Sequence, residues 1–321
     1  MIVGIIIGSI FGFLLILFFF VLLGLYLYTF YSPKKGQLDD FNLSAPLYEG
    51  HRDEVKPLIE GIRKEPYEDV YITSFDKLKL HARLYDQKSD TVAILCHGYR
   101  GTAYRDFSGG ATEILHLGYN VILIDERAHG TSEGHSITFG VRETKDVLKW
   151  VEYARERFGQ DIKIVLIGIS MGGATVLMCA DKIEGDVKII ADCPYSAPNI
   201  MLKETIRSIK LPIKVFYPIL NLSSIIFAHT NLNKGSAYDS ISNTNHPIVI
   251  IHGDNDHVVP YHISEELYKK HPDKIQYELF HGADHGMSYL VDKPRYQKII
   301  KDFLRKLNGN PRLFNYRDES V

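Results

Sequence analysis

The chain has 321 residues and a formal net charge of −2, with 37 Lys and Arg against 39 Asp and Glu. No stripe rich in Lys or Arg stands out, which excludes a basic nucleic-acid binder. An apolar content of 45% excludes a disordered acidic chain. The charges are unevenly distributed, because residues 1–31 contain no charged side chain, no His and no Pro. The composition therefore describes two pieces, an uncharged N-terminal segment and a remainder of ordinary polarity.

The N-terminal segment from Ile2 to Tyr31 is longer than the roughly 20 apolar residues that cross a bilayer core as a helix. Tyr26, Tyr28 and Tyr31 lie near its end, where they suit an interfacial aromatic belt. A secretory signal would show a basic n-region and a small-x-small cleavage site, and neither is visible. The segment therefore predicts an uncleaved, single-pass membrane anchor.

The side of the membrane is poorly determined by the charges that follow the anchor. Lys34 and Lys35 favour the cytoplasmic face for the rest of the chain by the positive-inside rule. Asp39 and Asp40 come soon after, and two lysines are weak evidence. The sequence leans to the cytoplasmic face and leaves the side open.

Gly4, Gly8 and Gly12 fall at four-residue spacing on one face of the predicted membrane helix. Such a small-xxx-small ridge lets two helices approach closely and would give a homodimer. Glycine is also simply frequent in membrane helices, which is the more ordinary explanation. A homodimer is therefore a subsidiary expectation.

The three cysteines, Cys96, Cys179 and Cys193, are an odd number, which excludes a complete disulfide framework. Each stands in an apolar strand or helix context. Buried free thiols are the expected state.

A linker is expected over residues 32–50, followed by an amphipathic helix over 51–65 whose apolar residues recur at helical spacing. Residues 70–73 and 78–84 predict a leading hairpin. Short apolar runs then predict strands at 91–96, 120–124, 162–167, 187–191, 248–251 and 275–280. Helices are expected at 105–116, 141–158, 171–183, 264–270 and 293–307. Strands this apolar are buried on both faces, which predicts a mostly parallel sheet between two layers of helices.

Residues 195–246 interrupt this alternation and are rich in apolar side chains. We expect a helical lid inserted between two strands. The predicted organisation is therefore an anchor at 1–31, a linker and amphipathic helix at 32–66, a core at 67–194 and 247–308, the insertion at 195–246, and a polar tail at 309–321.

The strongest chemical signal is the run from Gly168 to Gly173, which follows a predicted strand and opens a helix. A G-x-S-x-G sequence in this context predicts a nucleophile elbow with Ser170 at its apex. The small residues on either side of Ser170 allow the strained turn. A phosphate-binding loop is the alternative, but no G-x-G-x-x-G and no Walker lysine accompany the run.

An oxyanion hole requires two N–H donors, one of which belongs to the residue after the nucleophile. That residue is Met171. The stretch His97-Gly98-Tyr99 follows an earlier strand, and Tyr99 is the best second donor. His97 precedes the serine in the chain, so we interpret it as a structural histidine that holds the loop.

The acid and the base of such a site follow the serine, in that order. Asp254 and Asp256 both follow the strand at 248–251. Asp256 is favoured because it lies further into the turn, and Asp254 is then expected to stabilise the loop. His285 lies in the loop after the last strand, whereas His281 ends that strand and is expected to be structural. The predicted catalytic set is Ser170, Asp256 and His285.

These motifs together resemble the α/β-hydrolase superfamily, and more narrowly its serine aminopeptidase S33-like, lysophospholipase-like branch. The run from Asp125 to Ser132 resembles the D-x-R-x-H-G-x-S stretch of that branch. The resemblance covers about residues 67–307. It implies an eight-stranded, mostly parallel sheet with flanking helices and a lid insertion. It also implies the roles given above for Ser170, Asp256, His285, Tyr99 and Met171, and a structural role for Asp125 and His129.

The expected activity is that of a membrane-anchored serine hydrolase acting on acyl esters, with a lipophilic substrate favoured by the apolar insertion. No metal or organic cofactor is required, and no nucleic-acid partner is expected. The alternative is an S33-type peptidase or amidase, or an acyl thioesterase. The insertion has only two acids against five Lys and Arg, which argues against the capture of a substrate amine that a peptidase would need. A non-catalytic binding protein on the same fold is a third hypothesis, opposed by the intact catalytic set.

Overall fold

The computed structural model describes residues 1–33 and 40–305. The described helices are α1 (Ile2–Thr29), α2 (Arg52–Lys64), α3 (Ala103–Asp106), α4 (Gly110–His116), α5 (Glu143–Phe158), α6 (Met171–Met178), α7 (Pro198–Ser208), α8 (Ile213–Phe227), α9 (Ala237–Ser242), α10 (His262–Lys270), α11 (Ser288–Val291) and α12 (Lys293–Arg305). The described strands are β1 (Glu68–Thr73), β2 (Lys79–Tyr85), β3 (Thr91–Cys96), β4 (Asn120–Ile124), β5 (Lys163–Ile169), β6 (Val187–Asp192), β7 (Ile248–Gly253) and β8 (Ile275–Phe280). The predicted tail at 309–321 and the two lysines used for orientation, Lys34 and Lys35, lie outside the described residues.

The eight strands form one sheet in the order β1-β2-β4-β3-β5-β6-β7-β8. The pairs β1–β2 and β2–β4 are antiparallel and the remaining pairs are parallel. Every residue of β3, β4, β6 and β7 is buried, as expected for strands covered on both faces. One face packs against α5, α6 and the insertion, and the other against α2, α4 and α12. The predicted eight-stranded, mostly parallel α/β sheet is confirmed.

One predicted helix is wrong in its extent, because residues 105–116 form two helices rather than one. The Thr102 side chain accepts the Arg105 N–H and caps α3, which ends at Asp106. Gly109 then passes so close to Tyr289 that an added Cβ would lie 2.2 Å from the ring. The break thus lies where the chain packs closely against a residue 180 positions away. The helix expected over 171–183 is also shorter, since α6 ends at Met178.

The C-terminal end of α1 is built into the α/β domain. Phe30 is completely buried and packs edge-to-face against Phe139. The Ile137 N–H donates to the Phe30 carbonyl, and the Ser32 N–H donates to the His135 carbonyl, both at 2.8 Å. The apolar helix is thus fastened to the domain at its very end. Its sequence is long and apolar enough to span a bilayer, with a mean hydropathy of 3.0.

The insertion consists of α7, α8 and α9, and α8 packs against α1. Ser223 Oγ donates a hydrogen bond to the Leu22 carbonyl at 2.7 Å. The Phe227 ring lies 5.7 Å from that of Phe19 and 5.5 Å from that of Tyr26, centroid to centroid. The predicted helical character of the insertion is correct, and its partner is α1.

The glycine ridge of α1 is open. At Gly4, Gly8 and Gly12 an added Cβ would have no atom within 4 Å. Dimerisation through this face is not supported by any contact within the chain and stays a prediction.

Candidate active site

Ser170 lies at the sharp turn between β5 and α6. Its backbone has φ 56° and ψ −115°, a strained conformation for a residue with a side chain. The turn is so tight that a Cβ on Gly172 would lie 1.9 Å from the Cys96 carbonyl oxygen, and one on Gly168 would lie 2.2 Å from the Gly172 carbonyl oxygen. Glycine at both positions is what allows the Ser170 side chain to stand out at the end of the sheet.

A continuous line of hydrogen bonds joins three of the predicted site residues. The Ser170 hydroxyl lies 2.8 Å from His285 Nε2. On the other side of the ring, His285 Nδ1 lies 2.7 Å from Asp256 Oδ2. The loops after β7 and β8 thus bring an acid and an imidazole from 86 and 115 residues away to the elbow. The geometry allows Ser170 O–H to donate to Nε2 while Nδ1–H donates to the carboxylate.

The carboxylate of Asp256 is held in place from several directions. The Val258 and Val259 N–H groups donate to Oδ1 at 2.8 and 2.7 Å, and His252 Nε2 lies 3.1 Å from Oδ2. Burial by itself would raise the pKa of Asp256, but the hydrogen bonds from His252 and His285 outweigh it and hold the pKa well below its usual range. The side chain is therefore an anion across the neutral pH range.

Asp254, the competing acid, does not reach the imidazole of His285. Its Oδ2 lies 2.7 Å from His281 Nδ1, and its Oδ1 accepts the Gly282 N–H at 2.7 Å. The two groups that the sequence assigned to structure, Asp254 and His281, therefore pair with each other across the β7 and β8 loops.

The two predicted oxyanion donors flank the serine. Met171 is the first residue of α6, where a backbone N–H has no acceptor in the preceding turn of its own helix. The loop that carries Tyr99 approaches closely, since a Cβ on Gly98 would lie 3.4 Å from Ser170 Cβ. Asp106 fastens this loop by accepting the Gly98 N–H at 2.9 Å.

His97 and His129 brace the same loop and its neighbour. The Glu126 N–H donates to His97 Nε2 at 3.1 Å, and the Arg100 N–H donates to His129 Nε2 at 3.0 Å. Both rings must accept at Nε2, so both are neutral with the proton on Nδ1. Burial lowers the pKa of His97 and lowers that of His129 to about 3, which agrees with this assignment. Asp125 also has a structural environment, since it accepts from His81, Arg83 and the Thr131 N–H.

A cavity of about 380 Å³ opens beside Ser170 and His285. Its walls come from residues 42–48, the loop carrying Tyr99, α3, α4, α11 and α12. None of these lining residues belongs to the insertion at 195–246. Part of the wall comes instead from residues 42–48, within the segment predicted to be a linker, and α8 of the insertion packs on α1. The role of the insertion as a lid stays a prediction.

Two buried groups of the site carried no role in the sequence interpretation. His252 is fully buried beneath Asp256, with Ser264 Oγ 2.7 Å from its Nδ1. Asp192, which also lines the cavity, accepts a hydrogen bond from the Tyr296 hydroxyl at 3.0 Å through Oδ2, and its Oδ1 is buried without a partner among the described residues. Burial raises the pKa of Asp192 to about 6. A polar residue at or near the end of a buried strand was the available signal for both.

Cys193 is the remaining polar neighbour, with Sγ 3.9 Å from His285 Nε2. Cys193, Asp256 and His285 together are close enough to suggest a metal site. The thiol is a poor metal ligand because burial raises its pKa well above the usual value, while the other two side chains already bind each other. The donor set fits a hydrogen-bonded acid and base better than a metal.

A family model described as "alpha/beta hydrolase fold" matches residues 92–211. The chain is 28% identical over 220 residues to the uncharacterized protein YqkD of Bacillus subtilis, covering 68% of this chain and 72% of that protein. It is 27% identical over 234 residues to lysophosphatidylserine lipase ABHD12 of Danio rerio, covering 68% of this chain. That match spans 59% of the lipase. An uncharacterized membrane protein of Saccharomyces cerevisiae is 28% identical over 247 residues, covering 74% of this chain and 80% of its own length.

Solved structures are similar over the domain. The Pyrococcus furiosus esterase Pf2001 superposes with a TM-score of 0.63 at 25% identity, covering 79% of this chain and 95% of its own. Est1E from Butyrivibrio proteoclasticus, solved with ferulic acid bound, has a TM-score of 0.59 at 20% identity, covering 74% of this chain and 98% of its own, which is evidence for the fold alone. The narrower likeness to S33 peptidases stays a prediction.

Proposed function

The chain belongs to the α/β-hydrolase superfamily, and from this premise we propose that it is a membrane-anchored serine hydrolase that cleaves acyl esters. The observation that carries the proposal is the hydrogen-bonded line from Ser170 through His285 to Asp256, with spacings of 2.8 and 2.7 Å. A hydroxyl, a base and an orienting carboxylate at these distances are the parts that nucleophilic acyl transfer requires.

Acylation begins when the Ser170 oxygen attacks the substrate carbonyl carbon and His285 Nε2 takes the hydroxyl proton. The Asp256 carboxylate holds the ring through Nδ1–H and stabilises the imidazolium that forms. The backbone N–H groups of Tyr99 and Met171 stabilise the negative charge that develops on the carbonyl oxygen. The imidazolium then gives its proton to the departing alcohol, which leaves an acyl-serine.

Deacylation repeats these steps with water in place of the serine. His285 takes a proton from the water molecule as the water oxygen attacks the acyl carbonyl. The imidazolium then returns this proton to the Ser170 oxygen as the acid is released. The buried, hydrogen-bonded carboxylate keeps its charge throughout, because its pKa lies well below the usual range.

The walls of the cavity support an ester with a lipid acyl chain as the substrate. The wall consists mainly of apolar side chains, including those of Leu47, Val55, Phe107, Ile114 and Leu290. Its volume of about 380 Å³ is within the range of small-molecule sites. The lipase named among the relatives acts on a lysophospholipid by its name, and an apolar helix fastened to this domain would keep the cavity near lipid.

The acids of the cavity do not favour the alternative function, an S33-type peptidase. Such an enzyme would need a free carboxylate to bind the substrate amine. The Asp106 carboxylate already accepts the Gly98 N–H and forms an ion pair with Arg105. Glu113 accepts from Gln297 and lies 3.9 Å from Lys301 Nζ. Burial raises the pKa of Asp192 to about 6, which weakens it as a counter-ion.

The proposal is tested with a fluorophosphonate probe on the full chain in lipid nanodiscs. We expect the probe to label the wild type and the control Ser44→Ala, which removes a cavity hydroxyl remote from the elbow, but not Ser170→Ala. Turnover of a lysophospholipid, a short p-nitrophenyl ester and an alanine amide by the same preparation then ranks the substrates. Labelling of Ser170→Ala at the wild-type level, or amide turnover above ester turnover, would contradict the proposal.

A further inference from the structure

We propose that the exposed apolar side of α8 is embedded in the lipid bilayer beside α1, so that the catalytic domain sits directly on the membrane. This inference rests on the proposed anchoring by α1 and adds a second membrane contact to it. The observations behind it are the division of α1 into a free and a packed part, the depth at which α8 meets α1, and the side chains that α8 leaves exposed.

The helix α1 divides at Leu22. The large apolar side chains from Ile2 to Val21 are exposed, whereas Leu22 is buried against the insertion. The free part is about 20 residues, which at 1.5 Å per residue is about 30 Å, the thickness of the hydrocarbon core. The surface of the domain therefore begins where the bilayer ends, with no spacer between them.

The C-terminal half of α8 meets α1 on the bilayer side of this division. Phe227 packs on Phe19, which lies three residues before the division at Leu22. Ser223 binds the Leu22 carbonyl at the division itself. This half of α8 consequently lies at the depth of residues 19–22, which is the edge of the hydrocarbon core.

The residues beside these contacts are apolar and exposed. Leu222, Ile225 and Ile226 are 37%, 41% and 42% exposed, respectively. They lie on one side of the helix, since positions three and four apart share a face. The only charged residue in the 15 residues of α8 is Lys214, in its first turn. This face is continuous with the free apolar surface of α1, which identifies its occupant as the bilayer that receives α1.

Charge complementarity favours a phospholipid surface over a second protein. Residues 203–214, from the middle of α7 through the turn to the start of α8, carry four basic residues against one acid, Glu204; the basic residues are Lys203, Arg207, Lys210 and Lys214. Basic side chains on helices that also carry an exposed apolar face are a pattern of interfacial helices that bind anionic headgroups. Each embedded apolar side chain would contribute in proportion to its buried area.

The test places an environment-sensitive fluorophore on single introduced cysteines in the full chain, reconstituted in phosphatidylcholine–phosphatidylserine nanodiscs with or without brominated acyl chains. The native cysteines Cys96, Cys179 and Cys193 are buried, so an exposed introduced thiol reacts selectively. The probe position is Ile226→Cys, with Ile225→Cys as a second reporter. Leu14→Cys reports anchoring, and Glu156→Cys, near the far end of α5, reports water exposure. Fluorophosphonate labelling of each variant verifies that it is folded.

We expect the reporters at 226, 225 and 14 to emit at shorter wavelength than the reporter at 156 in both kinds of disc, because they lie in an apolar environment. We also expect brominated lipid to quench these three reporters and to leave the reporter at 156 unchanged. Quenching at 14 without quenching at 226 and 225 would overturn the docking of α8 while leaving anchoring intact. Absence of quenching at 14 would overturn anchoring, and the docking with it. The reporter at 226 could also show a blue shift without quenching, and this shift could disappear when each disc holds one copy of the protein. That result would assign the face to a second copy and would also overturn the proposal.

Discussion

The Tyr99 phenol donates a hydrogen bond to the Thr29 carbonyl oxygen across 2.9 Å. The next residue, Arg100, donates from its guanidinium to the carbonyls of Tyr28 and Tyr31 at 2.8 and 3.2 Å. The carbonyls of Tyr28 and Thr29 end α1, where they lack helical partners and lie at the negative end of the helix dipole, and that of Tyr31 follows directly after the helix. The loop proposed to supply an oxyanion N–H therefore caps α1, and the two are held together as one unit.

This contact predicts that Tyr99→Phe lowers kcat with little effect on KM, because the variant keeps the backbone N–H and loses only the bond that positions it. Arg100→Ala removes two such bonds, and we expect a loss of roughly tenfold in kcat, which corresponds to about 1.4 kcal/mol of transition-state stabilisation. Steady-state kinetics with a short ester measures both.

The matched control is Lys149→Ala, which removes a surface ion pair with Glu152 on α5. Unchanged kcat in both loop variants would show that the helix end does not position the oxyanion loop.

The choice between the two candidate acids is tested by Asp256→Asn and Asp254→Asn. Only Asp256 contacts His285, so we expect its replacement to reduce kcat by about 10⁴-fold through loss of the correct tautomer and of the charge that stabilises the imidazolium. Asp254→Asn disturbs a pair with the exposed His281 and should leave kcat near the wild-type value. Comparable losses in the two variants would rule out the assignment of the acid.

The elbow predicts that Gly172→Ala prevents folding or destroys the site, because the new Cβ would lie 1.9 Å from a backbone carbonyl that cannot move away. We expect at least several kcal/mol of destabilisation from such overpacking. Gly110→Ala is the control, since its Cβ would be 3.6 Å from the Phe107 ring, an ordinary contact. Thermal unfolding and fluorophosphonate labelling report both, and a well-folded, labelled Gly172→Ala variant would refute the geometry of the turn.

The burial of Asp192 leads us to expect that the free energy of unfolding depends on pH in a specific way. Burial raises its folded pKa from 3.8 to about 6, so the native state holds this proton more tightly than the unfolded state does. The resulting stabilisation is complete below pH 3.8 and is lost as the pH rises through about 6. Asp192→Asn removes this loss, so its free energy of unfolding should improve relative to the wild type as the pH rises from 4 to about 7, by about 2–3 kcal/mol at most, and its melting temperature should rise accordingly.

Melting temperatures of wild type, Asp192→Asn and the exposed control Asp161→Asn are compared across that pH range. The difference between Asp192→Asn and wild type should grow with pH, while that for Asp161→Asn stays constant. A difference that shrinks with rising pH would mean that Asp192 is stabilised as an anion in the folded chain.

Much of the fold and of the candidate site could be predicted because their signals are local. An apolar strand, a glycine-flanked serine and a helix start stand together over about a dozen residues, and the acid and histidine each follow a strand in a known chain order. Helix ends were less predictable. The adjacent glycines Gly109 and Gly110 are a local signal for the break between α3 and α4, whereas the close approach of Gly109 to Tyr289 has no local signal.

The supporting groups could not be predicted for the same reason. His252 and Asp192 end apolar strands, yet only their position beneath Asp256 and beside the cavity indicates what they do. The insertion is the clearest example of what local patterns leave open. Its apolar residues predict that one face of α8 is buried, but they do not indicate which element covers that face.

The amino-acid pattern was therefore enough to predict the apolar N-terminal helix, the mostly parallel sheet and the three side chains that meet at the elbow. The tertiary structure alone decided that residues 42–48 wall the cavity and that the insertion packs on α1. It alone also decided that Tyr99 and Arg100 hold the end of the helix. Hydrophobic patterning reports which face of a segment is buried, because that depends on its own residues. The partner of that face depends on the three-dimensional path of the chain, which here joins Leu22 to Ser223 across 201 residues.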